Sequence, residues 1–72
     1  MHTPAQILRE LHNTPGPARS RKAQELGCRE PDDDIRSLFC DAGLIALGVV
    51  DTGTSTRVYY QTPEGQVGET EL

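Results

Sequence analysis

Apolar residues recur at helical spacing through the first half of this chain and at strand spacing through the second. Ile7, Leu8 and Leu11 share one helical face, and Thr3-Pro4-Ala5-Gln6 precedes them. Thr3 can cap, Pro4 suits the first helical position, and Gln6 completes a capping box. Asn13-Thr14-Pro15-Gly16-Pro17 then stops the helix and turns the chain, since two prolines and a glycine leave no helical continuation. A second helix is predicted from Ala18 to Leu26, closed by Gly27 in the left-handed C′ position. Its buried face is narrow: Ala23 and Leu26, with Arg19 or Lys22 along the edge. Glu30-Pro31-Asp32-Asp33-Asp34 opens a third helix, where carboxylates suit the unsatisfied N–H groups and the positive end of the dipole. Ile35, Leu38, Phe39 and Ala42 follow at i, i+3, i+4 and i+7, and Gly43 ends the run.

From Leu44 the period changes. Leu44–Asp51 is rich in Val, Ile and Leu, Arg57–Gln61 reads Arg-Val-Tyr-Tyr-Gln, and a polar loop with Gly53 lies between them. This pattern predicts a β-hairpin. Thr62-Pro63-Glu64-Gly65 is a further turn, with proline and glycine at its second and fourth positions. Residues 66–72 are polar and acidic and are expected to form a flexible tail to a domain spanning 1–65, with Val67 able to pair briefly. The predicted core is Ile7, Leu8, Leu11, Ala23, Leu26, Ile35, Leu38, Phe39, Leu44, Leu47, Val49 and Val58.

At 72 residues and 35% apolar content, the chain has room for one domain with a small core. That excludes a two-domain enzyme, a nucleotide-binding sheet covered on both faces, and any barrel. The longest apolar run, Gly43 to Val50, is eight residues, well short of the ~18 a membrane span needs. No charged start and apolar stretch marks a signal peptide, so a cytoplasmic setting is expected. Cys28 and Cys40 are too few for a disulfide framework and are expected as small, mostly buried thiols. The net charge of −4 is unevenly distributed. Residues 1–29 hold five cations against two acids, and residues 30–72 hold two cations against nine acids. A basic side and a more strongly acidic side follow, which bears on partners rather than on fold.

Pro15-Gly16, Ala23-Gln24-Glu25-Leu26-Gly27, Ile35–Phe39, Ala42-Gly43-Leu44-Ile45 and Val58-Tyr59-Tyr60-Gln61-Thr62-Pro63-Glu64-Gly65 stand in an order and spacing that resembles a known family. It is the winged helix-turn-helix domain of bacterial regulators of the MarR, ArsR and IclR groups. The resemblance covers residues 3–65. It implies an α+β fold of three helices with a C-terminal β-hairpin as the wing, a small residue of the second helix packed under the third, and double-stranded DNA as partner. Arg19, Ser20, Arg21 and Lys22 at the start of the second helix, with Arg57 beside the wing, would hold phosphates. Arg36, Ser37 and the wing threonines, Thr54 among them, would lie nearest the bases. The family's dimerisation helices have no counterpart here, so a monomer or weak dimer is expected.

The third helix departs from that pattern. Asp32, Asp33 and Asp34 stand where the family's reader helix enters the groove, and three carboxylates repel a phosphate-lined surface. Together with Asp41, Asp51 and the acidic tail they give a second reading: an acidic interaction module, an adaptor or inhibitor for a basic protein, on the same scaffold. The ordinary explanation of the Asp trio, a solvated helix start, needs no partner.

Other motifs carry less. Val49-Val50-Asp51-Thr52-Gly53-Thr54-Ser55 has the look of an aspartic protease signature. That chemistry needs a second carboxylate and strands where this sequence predicts helices. His2, His12, Cys28 and Cys40 lack the close pairs of a structural zinc site, and no phosphate loop or serine elbow is present. The expectation is a protein with no enzymatic activity, no cofactor and no metal.

Overall fold

The structure, a computed structural model, describes residues 2–72. Three α-helices lead into an antiparallel sheet: α1 Pro4–His12, α2 Arg19–Glu25, α3 Asp33–Asp41, then β1 Ile45–Asp51, β2 Thr56–Gln61 and β3 Val67–Glu71. A short 3-10 turn, Gly16–Ala18, precedes α2. The predicted α+β class and the order of helices before hairpin are therefore present. No helix among the described residues is long and apolar enough to cross a membrane.

The starts of α1 and α3 follow their sequence signals. The Thr3 hydroxyl accepts from Gln6 N–H at 3.2 Å, and the Gln6 side chain accepts from Thr3 N–H at 3.0 Å. At α3 the Asp32 carboxylate accepts from Ile35 N–H at 2.9 Å, satisfying one of the orphan donors of the first turn.

Strand alternation sorts the core into two clusters, one on each face of the sheet. Val49 opposes Val58 and Ala46 opposes Tyr60 across β1 and β2, and these residues pack with Ile35 and Phe39 of α3. Phe39 and Tyr60 rings stand 5.9 Å apart, tilted. On the other face, Leu47 and Tyr59 pack with Ile7, Leu11, Ala23, Leu26 and Cys28. A bulge between Ala46 and Gly48 lets Leu47 and Gly48 share that face. A Cβ on Gly48 would lie 2.9 Å from Ala23 Cβ and 2.7 Å from Cys28 Cβ, so glycine is what lets α2 approach the sheet this closely. The molecule is thus a stack of α1 and α2, the sheet, and α3. Its extents of 30 × 29 × 16 Å fit that order, since three strands span only about 10 Å across.

The connection from α2 to α3 crosses from one face to the other over the outer edge of β1. Arg29 N–H donates to Val49 O at 2.8 Å and Val49 N–H to Arg29 O at 2.9 Å, an isolated antiparallel bridge. This crossing separates the arrangement from what the resemblance implies. There Ala23 would pack beneath the third helix; here it packs against Gly48 and Cys28, with the sheet between it and α3.

Four further expectations change. Residues 66–72 are not a flexible tail: Val67–Glu71 pairs with β2 from Gln61↔Val67 to Arg57↔Glu71. The reason is the turn before it, where Gly65 adopts φ 85° and its N–H donates to Thr62 O at 2.9 Å, a conformation that side chains resist. Leu38 leaves the predicted core and is 55% exposed, because α3 contacts the sheet along Ile35 and Phe39 only. Leu8 and Leu44 are half-buried, while Tyr59, absent from the predicted core, is 1% exposed. Cys28 is buried as expected, but Cys40 is exposed, being next to Phe39 and so turned outward on α3.

Candidate interaction surface

The layering divides the residues singled out for nucleic acid into two groups. Arg19, Ser20, Arg21 and Lys22 lie on α2, and Arg57 shares their side of the sheet through its neighbour Val50. Arg36 and Ser37 lie on α3 across the sheet, both exposed, and Thr54 is exposed in the β1–β2 loop. No single face gathers them.

Most of the cations are also committed to partners. Arg19 is buried, and its guanidinium donates to five oxygens. Nε reaches Leu11 O at 2.8 Å and Thr14 O at 3.0 Å; Nη1 reaches Gly65 O at 2.8 Å and Gln61 Oε1 at 3.1 Å; Nη2 reaches His12 O at 3.3 Å. Its predicted role on phosphate is not open to it, since every contact holds the end of α1 against the β2–β3 turn. Sequence reasoning missed this because the acceptors are mostly backbone carbonyls, which leave no mark in residue types. Lys22 lies 3.7 Å from Glu10 and 3.9 Å from Glu25. Arg36 pairs with Glu30 at 3.3 Å. Arg57 pairs with Glu71 at 3.1 Å and approaches Glu69 at 3.8 Å, and its bond to Glu71 holds its pKa above the ordinary value. Among the described residues, Arg9 and Arg21 make no ion pair.

Asp51 of the Asp-Thr-Gly phrase is likewise bound. Its carboxylate accepts from Arg29 Nε at 2.7 Å and Nη2 at 3.3 Å, and from the Thr56 hydroxyl at 3.3 Å. The Arg29 hydrogen bonds hold its pKa below the usual carboxylate value, the opposite of a carboxyl group sharing a proton with another. Beside it, a groove of about 720 Å³ opens between the start of α1, the end of α2 and the hairpin, lined by Ile7, Leu26, Val50, Arg57 and Tyr59 among others. Among the described residues, no three His, Cys, Asp or Glu side chains converge as metal ligands.

The carboxylates on α3 are arranged differently. Asp32 caps, Asp33 and Asp34 occupy the first turn, and Asp41 the last, all exposed. Asp34, Leu38 and Asp41 stand at i, i+4 and i+7, one exposed stripe along a flank of the helix beside its buried Ile35 and Phe39 face. Helix-start chemistry accounts for Asp32 to Asp34. It does not account for Asp41, which faces the negative end of the dipole with no basic residue in the last turn. The stripe therefore has an exposed leucine between carboxylates at both ends. Comparison with protein-family models, with curated proteins and with solved structures finds no match for the chain.

Proposed function

We propose that the chain is a non-enzymatic interaction module that presents the outer face of α3 to a basic protein. The observation that carries this is the Asp34–Leu38–Asp41 stripe: an apolar side chain exposed in the middle of a helix face and bracketed by unpaired carboxylates. A partner with an apolar contact ringed by Lys or Arg complements it. Such charges speed encounter and make it sensitive to salt, while the desolvated Leu38 contact would hold the complex. Arg36, the one cation on α3, is paired with Glu30 and not with these carboxylates.

The test is the variant Asp33→Lys with Asp34→Lys and Asp41→Lys, which leaves the Asp32 cap in place, alongside Leu38→Ser. Titration against a basic amphipathic helical peptide should show binding that weakens with salt, is lost in the charge swap and is weakened in Leu38→Ser. Binding that survives both changes would end this reading.

Winged-helix DNA binding remains the other reading. The order of helices before hairpin supports it, as do Ser20 and the unpaired Arg21 on α2 and Thr54 at the hairpin. With Arg9 and Arg21 alone free for phosphates, a random duplex would bind with a log K against log salt slope of about −2. Fluorescence polarisation at low salt decides between them: duplex binding by the unaltered chain favours this second reading, and its absence removes it.

A further inference from the structure

The outer edge of β3 is an open row of backbone hydrogen-bonding groups. Thr62 N–H donates to Gln66 O and Leu72 N–H to Thr56 O, both at 2.8 Å. With the register from Gln61↔Val67 to Arg57↔Glu71, even-numbered residues of β3 bond to β2. Val67, Glu69 and Glu71 then aim their N–H and C=O groups outward. No backbone group of another described segment bonds to them. The opposite edge of the sheet differs, because the Arg29 bridge to Val49 covers part of it.

We infer that the β3 edge accepts an extended segment of a partner that carries Lys or Arg at alternate positions, adding a fourth strand to the sheet. Glu69 and Glu71 lie on the same strand as the free backbone groups, and one cation, Arg57, serves both. Glu69 Oε2 accepts no hydrogen bond and lies 3.8 Å from Arg57 Nε, so the Glu69 and Glu71 pair, sharing one cation, leaves net negative charge beside the edge. A second copy of this chain is a poor occupant, since pairing two β3 edges would bring the Glu69 and Glu71 carboxylates of each copy together. Edge charges of one sign close an edge to its own kind and leave it open to the opposite sign. Strand addition supplies affinity through the main chain and specificity through alternate side chains. This site is distinct from the α3 stripe and stands or falls without it.

The experiment uses the full chain, labelled with ¹⁵N, and a short peptide alternating Lys and Thr. Expected are amide shifts and slowed hydrogen exchange centred on Val67, Glu69 and Glu71. The same peptide N-methylated at every second residue cannot complete a ladder and should bind about tenfold more weakly or worse. A Glu-Thr counterpart should not bind, and Glu69→Gln should weaken the basic peptide several-fold. The α3 charge swap should leave it unchanged, which separates this site from the one proposed above. Equal binding of the methylated peptide, shifts confined to α3, or self-association through β3 in place of peptide binding would each overturn the inference.

Discussion

Arg19 is a buried cation with no carboxylate among its partners; five oxygens, four of them backbone carbonyls, surround its fork. Three of these lie at or just beyond the end of α1, where unsatisfied carbonyls and the negative end of the dipole favour a cation. The other two belong to the β2–β3 turn region. Removing the guanidinium would leave these buried and part-buried acceptors without their donor, so Arg19→Met should lower stability by about 3 kcal/mol. Arg19→Lys should recover only part of that, because a single ammonium cannot replace a planar fork. Urea midpoints for the two variants check it; a midpoint for Arg19→Met equal to that of the unaltered chain would mean the residue is a surface arginine after all. Gly48 is the second residue whose identity the packing dictates. An added Cβ would press on the Cβ atoms of Ala23 and Cys28, both held by backbone, so Gly48→Ala should cost about 1–3 kcal/mol through overpacking. A thermal melt reads this directly, and an unchanged or raised Tm would show that α2 can move away from the sheet.

Among the elements, α3 makes the sharpest contrast between its two sides. Phe39 is buried against Val49, Val58 and Tyr60, whereas Leu38, one position earlier, is exposed. Phe39→Ala should therefore cost about 3–5 kcal/mol, while Leu38→Ala should stay within about 0.5 kcal/mol. Chemical denaturation of the pair measures the difference, and a large loss from Leu38→Ala would place this face in the core. The start of α3 was legible in its Asp trio and that of α1 in its capping box. Which of Ile35, Leu38, Phe39 and Ala42 face the sheet was not, since one helical stripe wide enough to include all four is also consistent with a contact on two. The hairpin was legible from composition. That both its faces are buried was not: Val58 and Tyr59 are adjacent in sequence and both inside, which happens only when helices cover the two sides of the sheet. β3 was hidden for another reason. Gly68, Glu69 and Glu71 make a poor strand by propensity, and its pairing comes from the Gly65 turn and from β2. Of the candidate site, the acidic residues of α3 were visible, but the exposure of Leu38 among them depended on the rotation of α3 against the sheet.

At the scale of the whole molecule, the stack leaves its ionisable groups in two settings. Ion pairs lie outside, and Tyr59 and Cys28 lie within the cluster beneath α1 and α2. Burial raises the pKa of Tyr59 above its ordinary 10.0 and that of Cys28 above 9.0. The unfolded chain releases these protons at the ordinary values, while the folded chain holds them longer. Stability from both groups is therefore complete below about pH 9 and falls as pH rises through and beyond their ordinary values. Asp51 acts at the other end of the scale with the opposite sign. Its pKa is lowered, first by the hydrogen bonds from Arg29, so its contribution is present above the ordinary 3.8 and fades as pH falls below it. Because Asp51 and Arg29 are exposed, the acid limb should be shallow, and the alkaline limb should be the steeper one. Tyr59→Phe removes one of the two titrating groups, so it should flatten the fall in Tm between pH 9 and pH 11 and leave the acid limb untouched. Cys28→Ala should flatten the earlier part of the same fall. If Tyr59→Phe leaves the alkaline limb as steep as before, the tyrosine ionises as easily in the folded chain as in the unfolded one. The sheet face under α1 and α2 would then be wet, contrary to the stacked arrangement.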